Sequence, residues 1–330
     1  MLRQADIRKI DRFIQLLLAN ATVFVSGERL AEDLRVCRMT ICNWVHRLQR
    51  EGMTIEVKPN VGYRLTQVPD LLLPHLIKRE LRTKIFGRNI HHFFQVGSTN
   101  DVAFQLAQEG VAEGTVVLSE EQTSGRGRLG RHWVSEKHLG IYMSLILRPR
   151  LTPGRAPLLN LAVAVAASRA IEQTSGLTAD IKWPNDILIN GKKCCGILTE
   201  MNADLDQIKY LVMGIGINVN HAVFPKALQA QASSLFLEGG RRFSRIEILL
   251  ALLKNLEDIY LEFQEKGGEV VLKQWMQRSS FSHGKEVSVD VSDRQVHGTT
   301  LGLGGDGALR VRLGDGHIEE IMTGDVVVWK

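Results

Sequence analysis

The sequence predicts an α+β fold in three consecutive segments, on three observations. Helical periodicity and then two short alternating runs open the chain, strands and helices mix through its middle, and short glycine-punctuated strands close it. With 330 residues the chain has material for two or three domains. The expected boundaries are 1–66, 67–280 (with 67–80 as a linker) and 281–330. The composition, 44% hydrophobic and 23% charged, excludes a disordered or fibrous chain. Its net charge of +5 is unevenly placed: residues 1–66 hold 11 basic and 7 acidic side chains, and nearly all the excess lies there.

In the first segment Ile7, Ile10, Ile14, Leu17 and Leu18 recur at helical spacing, predicting a helix that ends near Asn20. Ser26 caps a second helix, with Leu30, Ala31 and Leu34 as its buried stripe. A third runs from about Arg38 to Arg50 and stops at Gly52, its core face being Ile41, Val45 and Leu48. Alternating runs at Thr54–Lys58 and Gly62–Thr66, joined by Pro59-Asn60, predict a hairpin. Three helices followed by a hairpin make a winged helix-turn-helix. The span Leu34–Arg50 contains Arg35, Arg38, Arg47 and Arg50 and no acid. Arg38, Thr40, Asn43, Trp44 and Arg47 are the expected DNA contacts, because Asn and Arg read base edges in the major groove while basic neighbours hold phosphates.

Pro69 and Pro74 flank Leu71-Leu72-Leu73, the expected linker or interdomain seam. Beyond it, His92–Val96, Thr115–Leu118, Ile141–Leu147 and Tyr210–Met213 read as strands. Asp101–Ala107, Leu158–Ile171 and Ser244–Glu265 read as helices, and Asn190-Gly191 as a tight hairpin. From about Phe281 the glycine turns predict a small β-barrel. No apolar stretch reaches the roughly 20 residues of a membrane-spanning helix, and Met1–Asp6 lacks a signal-peptide core, so a soluble cytoplasmic protein is expected. Cys37, Cys42, Cys194 and Cys195 form no CxxC or zinc spacing and are expected to be reduced, structural thiols.

Four clusters have chemical potential. Gly125-Arg126-Gly127-Arg128-Leu129-Gly130 satisfies GxGxxG, but the following Arg131-His132-Trp133 opens no helix and no acid stands about 20 residues on, which excludes a dinucleotide fold. What remains is a glycine-rich loop whose two arginines suit a phosphate or carboxylate. Ser98-Thr99-Asn100 offers hydroxyls and an amide at a helix start, for a polar ligand or only as a cap. Lys182-Trp183-Pro184-Asn185-Asp186 puts aromatic surface, rigid backbone and a carboxylate within one turn, with Lys193 across the hairpin. Gly214-Ile215-Gly216-Ile217-Asn218 closes a strand with two glycines, letting a ligand approach the backbone.

Taken together with the winged helix-turn-helix and the small terminal barrel, these clusters and Lys193 followed by Gly196-Ile197-Leu198 resemble the biotin–protein ligases. The likeness is to the bifunctional type that is also the biotin-operon repressor, and it covers nearly the whole chain. It implies a central catalytic domain of the biotin/lipoate ligase type and an SH3-like C-terminal barrel. It also implies ATP- and Mg²⁺-dependent formation of biotinyl-5′-AMP, then biotin transfer to a lysine of the biotin carboxyl carrier protein of acetyl-CoA carboxylase. The adenylate would act as corepressor, driving a homodimer onto the operator DNA of biotin synthesis genes.

By matching position, the resemblance places Ser98, Thr99, Asn100, Gln122, Gly127, Gly196, Gly214 and Gly216 around biotin, with Arg126, Arg128 and Lys193 at its carboxylate. Lys182 and Asn218 join Arg126, Arg128 and Lys193 at the adenylate, and Asp186 orients the carrier lysine or holds Mg²⁺. Arg126, Arg128, Lys193 and the metal would offset the charge that builds on phosphoryl oxygens. Three departures stand out. Leu129 replaces an arginine of repressor-type ligases, Cys194-Cys195 replaces apolar residues, and no tryptophan between Trp183 and Trp275 supplies an adenine platform. The alternatives are a lipoate ligase or octanoyltransferase carrying a DNA-binding domain, and a non-catalytic biotin-sensing repressor.

Overall fold

The computed structural model describes residues 4–291 and 294–328, with side chains from Lys9 onward. Ile7, expected in the first helix's apolar stripe, thus has its side chain outside the described set. Helices α1 (Gln4–Ala19), α2 (Gly27–Leu34) and α3 (Arg38–Arg50) precede a two-stranded antiparallel wing, β1 (Thr54–Lys58) and β2 (Gly62–Gln67). Ser26 caps α2 as expected, its hydroxyl accepting from the amides of Glu28 and Arg29. Ile10, Phe13, Ile14 and Leu17 of α1 close over Leu30, Ile41, Val45 and Leu48.

The DNA-facing set needs correction on α3. Trp44 is 6% exposed and packs on Phe13, ring centroids 5.8 Å apart, so it belongs to the core. Ile41, Trp44, Val45 and Leu48 lie at i, i+3, i+4 and i+7, a single helical stripe, and burial follows that geometry. Arg47 turns back over the ring of Phe94 at 5.4 Å, and Thr40 is half-buried beside the Cys37 thiol. The outward side of α3 instead carries Arg38, Met39, Asn43, His46 and Arg50.

Residues 67–80 are not a free linker. Leu71, Leu72 and Leu73 are fully buried and lead into α4 (Pro74–Glu80). The main body follows as β3 (Ile90–Phe93), α5 (Thr99–Gln108), β4 (Val116–Ser119), β5 (Gly140–Leu147), α6 (Ala156–Ser175), β6 (Asp180–Lys182), β7 (Asp186–Ile189), β8 (Lys192–Ala203), β9 (Ile208–Asn218), α7 (Leu235–Gly239), α8 (Arg245–Lys266) and α9 (Glu269–Met276). Its seven strands form one sheet in the order β3-β4-β5-β9-β8-β7-β6, all antiparallel except the β3–β4 pair. Helices α6 and α8 pack together over it, while α5 packs on β4, β5 and β9. Helix α9 and the short α7 had no counterpart in the sequence reading.

One buried charge network joins the seam to this body. Arg245 and Glu120, both with fully buried side chains, pair at 2.8 Å. Glu120 also accepts from the Leu72 amide at 2.8 Å and meets His92 Nε2 at 3.0 Å, while Arg245 donates to the Gly140 carbonyl and reaches Asp70. Burial raises the Glu120 pKa, but Arg245 and His92 outweigh it and hold the carboxyl at about 2.

The C-terminal strands β10 (His283–Val291), β11 (Arg294–Leu303), β12 (Leu309–Arg312), β13 (Ile318–Ile321) and β14 (Asp325–Val328) pair antiparallel in the order β13-β12-β11-β10-β14. Among the described residues β13 and β14 do not pair, so the expected barrel is an unclosed five-stranded sheet. No helix among the described residues is long and apolar enough to cross a membrane.

Candidate active site

Antiparallel pairing of β8 with β9 aligns Gly196 opposite Gly216 and Leu198 opposite Gly214, and this makes a floor without side chains. The space above each glycine is taken. A Cβ on Gly216 would lie 2.5 Å from the Trp133 ring and one on Gly196 2.8 Å from it, while a Cβ on Gly214 would lie 2.4 Å from Asn100 Oδ1. The glycines therefore let an indole and an amide lie directly on the backbone.

Ser98, Thr99 and Asn100 stand at the start of α5, all buried. Ser98 makes no side-chain capping bond. The Thr99 amide and hydroxyl both donate to Gln122 Oε1, at 2.8 and 3.1 Å, and Gln122 Nε2 donates to Ser135. Ser144, fully buried on β5, donates to Asn100 Oδ1 at 2.6 Å and lies 2.8 Å from Thr99 Oγ1. Asn100 Nδ2 donates to Glu200 at 2.7 Å. These polar groups converge on one wall.

The loop arginines diverge. Arg126 makes a two-pronged contact with Asp101, at 2.6 and 2.9 Å, and approaches Glu200 at 3.5 Å; the hydrogen bond to Asp101 raises its pKa. Arg128 donates to Asn185 Oδ1, the Gly324 carbonyl, Thr323 and Asp325, and Arg131 also pairs with Asp325. The C-terminal sheet is thus tied to the glycine loop. Gly127 tightens the loop by donating its amide to the Arg131 carbonyl at 2.7 Å.

Opposite the loop, Lys193 pairs with Asp186 at 2.6 Å, and its ammonium lies 5.4 Å from the Trp133 ring centroid. The tight turn at Asn190-Gly191, both with positive φ, brings β7 and β8 together for this contact. Lys182 is mostly buried on β6, and burial depresses its pKa against the pull of Asp186. Asn185 donates to the Ile197 carbonyl and Asn218 to the Ser233 carbonyl. Burial pushes the Cys194 thiol up to about 12 and raises that of Cys195, which keeps both protonated and inert.

The structure therefore gathers Asn100, Lys193 and the three glycines on one face of β8 and β9 beneath Trp133, with Ser98, Thr99 and Gln122 beside Asn100. Arg126 and Arg128 are held apart on different partners, Asp101 with Glu200 for the first and Asp325 for the second. Trp133, Ser135, Ser144 and Glu200 were missed from the sequence. Of these only Trp133 had a signal, three residues past the glycine loop. Its Nε1 is buried against Gly216 with no hydrogen-bond partner.

Three family models match this arrangement segment by segment: an HTH domain over residues 9–64, the biotin/lipoate A/B protein ligase family over 93–218, and the biotin protein ligase C-terminal domain over 282–329. The bifunctional ligase/repressor BirA of Bacillus subtilis (strain 168) is 34% identical over 315 residues, covering 95% of this chain and 96% of that protein. Its Escherichia coli (strain K12) namesake is 26% identical over 310 residues, covering 94% of each. The solved structure of the biotin protein ligase from Aquifex aeolicus in complex with biotin and ATP superposes with a TM-score of 0.64 at 29% identity, covering 74% of this chain and 99% of that one. With the winged helix-turn-helix, the glycine-floored sheet face and the C-terminal sheet all accounted for, this chain belongs to the biotin–protein ligase family, in its bifunctional ligase/repressor branch.

Proposed function

We propose that the chain is a biotin–[acetyl-CoA-carboxylase] ligase that condenses biotin with ATP to biotinyl-5′-AMP and passes biotin to a lysine of the biotin carboxyl carrier protein. We propose further that it represses biotin synthesis genes by binding operator DNA as an adenylate-bound homodimer. The observation that carries the first reading is the strand face floored by Gly196, Gly214 and Gly216. It has neutral donors and acceptors on the Ser98–Asn100 and Gln122 wall, and cations at Lys193, Arg126 and Arg128. A flat ring urea fits the first and a carboxylate or phosphate the second.

In this reading Ser98, Thr99, Asn100 and Gln122 orient the biotin head. Lys193 draws the carboxylate and the α-phosphate together, and Arg126 and Arg128 answer the negative charge that grows during attack. Lys182 and Asn218 border the adenylate. Trp133, lying over Gly196 and Gly216, forms an apolar wall that excludes water.

Magnesium supplies charge neutralisation on the ATP phosphates. No group of three or more His, Cys, Asp and Glu among the described residues could hold a metal. The donor set therefore fits an ion carried mainly by the nucleotide, with Asp186, paired to Lys193, contributing at most one carboxylate. Residues 1–66, 67–280 and 281–330 would divide DNA binding, ligation and support of the glycine loop, in a cytoplasmic protein.

The deciding experiment incubates the chain with ATP, Mg²⁺, a carrier domain and either biotin or lipoate, then weighs the carrier. A biotin-sized gain supports the ligase, a lipoyl gain selects the lipoate ligase, and no gain leaves a biotin-sensing repressor. Sedimentation at micromolar protein with and without biotin and ATP tests the dimer, which fails if the mass does not rise.

A further inference from the structure

Glu200 lies on β8 opposite Val212, with its side chain 35% exposed, and touches both halves of the site. One carboxylate oxygen accepts from Asn100 Nδ2 at 2.7 Å, and the other lies 3.5 Å from Arg126 Nη2. An amide has a donor end and an acceptor end, and its orientation follows from its partners. Here the partners agree: the Glu200 carboxylate at 2.7 Å and the Leu198 carbonyl at 3.5 Å only accept, so they fix the NH2 end, while the Ser144 hydroxyl lies 2.6 Å from Oδ1 and supplies a donor there. Rotating the amide would set its carbonyl against the Glu200 carboxylate. The missing side chain at Gly214 lets Asn100 Oδ1 lie against the strand backbone, with one lone pair beyond the bond that Ser144 donates.

We propose that Glu200 is a positioning residue that sets the polarity of Asn100, so that the site presents an acceptor to a ring N–H of its ligand. The inference rests on the biotin-site reading above. It deepens that reading toward specificity, because a cyclic urea carries ring N–H donors and a dithiolane ring carries none. Without the carboxylate only the longer bond to the Leu198 carbonyl and a rotatable Ser144 hydroxyl hold the amide, so the turned orientation, which offers NH2 to NH, becomes populated. The other oxygen's approach to Arg126 is longer, at 3.5 Å, and Asp101 holds that guanidinium independently at 2.6 and 2.9 Å, so the loss of Glu200 falls on Asn100.

The test measures kcat and the KM for biotin in full-length protein with saturating ATP, Mg²⁺ and carrier domain. E200A, and E200M, which keeps the length but not the acceptor, are expected to raise KM about tenfold or more, the effect of losing one hydrogen bond to a charged group. Their kcat is expected to stay within about threefold. E200Q, whose carbonyl still accepts from Asn100, is expected to recover most of the loss. The E200A/N100A double variant is expected to be no worse than N100A, since the two act through one contact. Wild-type KM in E200A and E200M, absence of rescue by E200Q, or additive losses would overturn the proposal. If N100A itself leaves KM unchanged, the biotin-site reading of Asn100 is what fails; if N100A raises KM and the Glu200 variants do not, this inference alone fails.

Discussion

The charge network at the seam supports a quantitative prediction. Replacing Glu120 by Gln removes the buried carboxylate while keeping an acceptor for the Leu72 amide, so the change isolates the charge opposite Arg245. Two routes give its size. With the carboxyl held at about 2 against an ordinary 4.5, the native state gains about 3 kcal/mol from the ionised form at neutral pH. Breaking a buried ion pair from one side independently costs about 3–5 kcal/mol. Asp70 still reaches Arg245 in the variant, which puts the expectation at the lower figure, about 3 kcal/mol.

The pH sign follows from the depressed value. The stabilisation is complete above the unfolded pKa, near 4.5, and drains away as pH falls toward 2, where the folded protein also takes up the proton. Urea unfolding of wild type and E120Q, followed by circular dichroism, should separate by about 3 kcal/mol at pH 7 and by about 1 kcal/mol at pH 3. A gap under about 1 kcal/mol at pH 7, or one that persists unchanged at pH 3, would refute the reasoning.

Four further outcomes are expected. Lys193→Ala and Arg128→Ala should each cut biotin-dependent pyrophosphate release by orders of magnitude; near-normal release removes them from the chemistry. Gly214→Ala should raise the dissociation constant for biotin at least about tenfold by calorimetry, because its Cβ falls 2.4 Å from Asn100 Oδ1, and unchanged affinity would show that the amide does not need that space. Trp44→Ala should destabilise the winged-helix unit by about 3–5 kcal/mol, whereas Asn43→Ala should leave its melting unchanged and weaken operator binding in fluorescence anisotropy; the reverse pattern would restore Trp44 to the DNA face. A thiol reagent should modify exposed Cys37, whose pKa is lowered by its hydrogen bond to Thr40, before Cys194 and Cys195, which should react only on unfolding.

What could be read without coordinates follows from the range of each interaction. The bounds of α3, the cap at Ser26 and the turn at Asn190-Gly191 depend on neighbours within four residues, and each matches the local chemistry of the chain. Trp44 is instructive because its burial was equally local. Its place three residues after Ile41 and four before Leu48 puts it on the apolar stripe, yet the same spacing joins it to Thr40, Asn43 and Arg47, so period alone allows either face and the large apolar ring decides for burial. Arg47 differs: its partner, Phe94, stands 47 positions away, and no periodicity announces that contact.

The candidate site divides along the same line. Its glycines are visible as glycines, but what they accommodate is set by register across β8 and β9 and by a loop that folds back over both. Trp133 and Asn100 meet glycines roughly 60 to 115 positions further along the chain. Ser144 and Glu200 carry no motif at all. They matter because a buried amide must satisfy both of its ends, and β5 and β8 bring a donor to one end and an acceptor to the other. Sequence motifs mark the groups that face a ligand; the groups that orient them come from wherever the sheet supplies a complementary partner, so Ser144 and Glu200 could be found only by accounting for every hydrogen bond of Asn100.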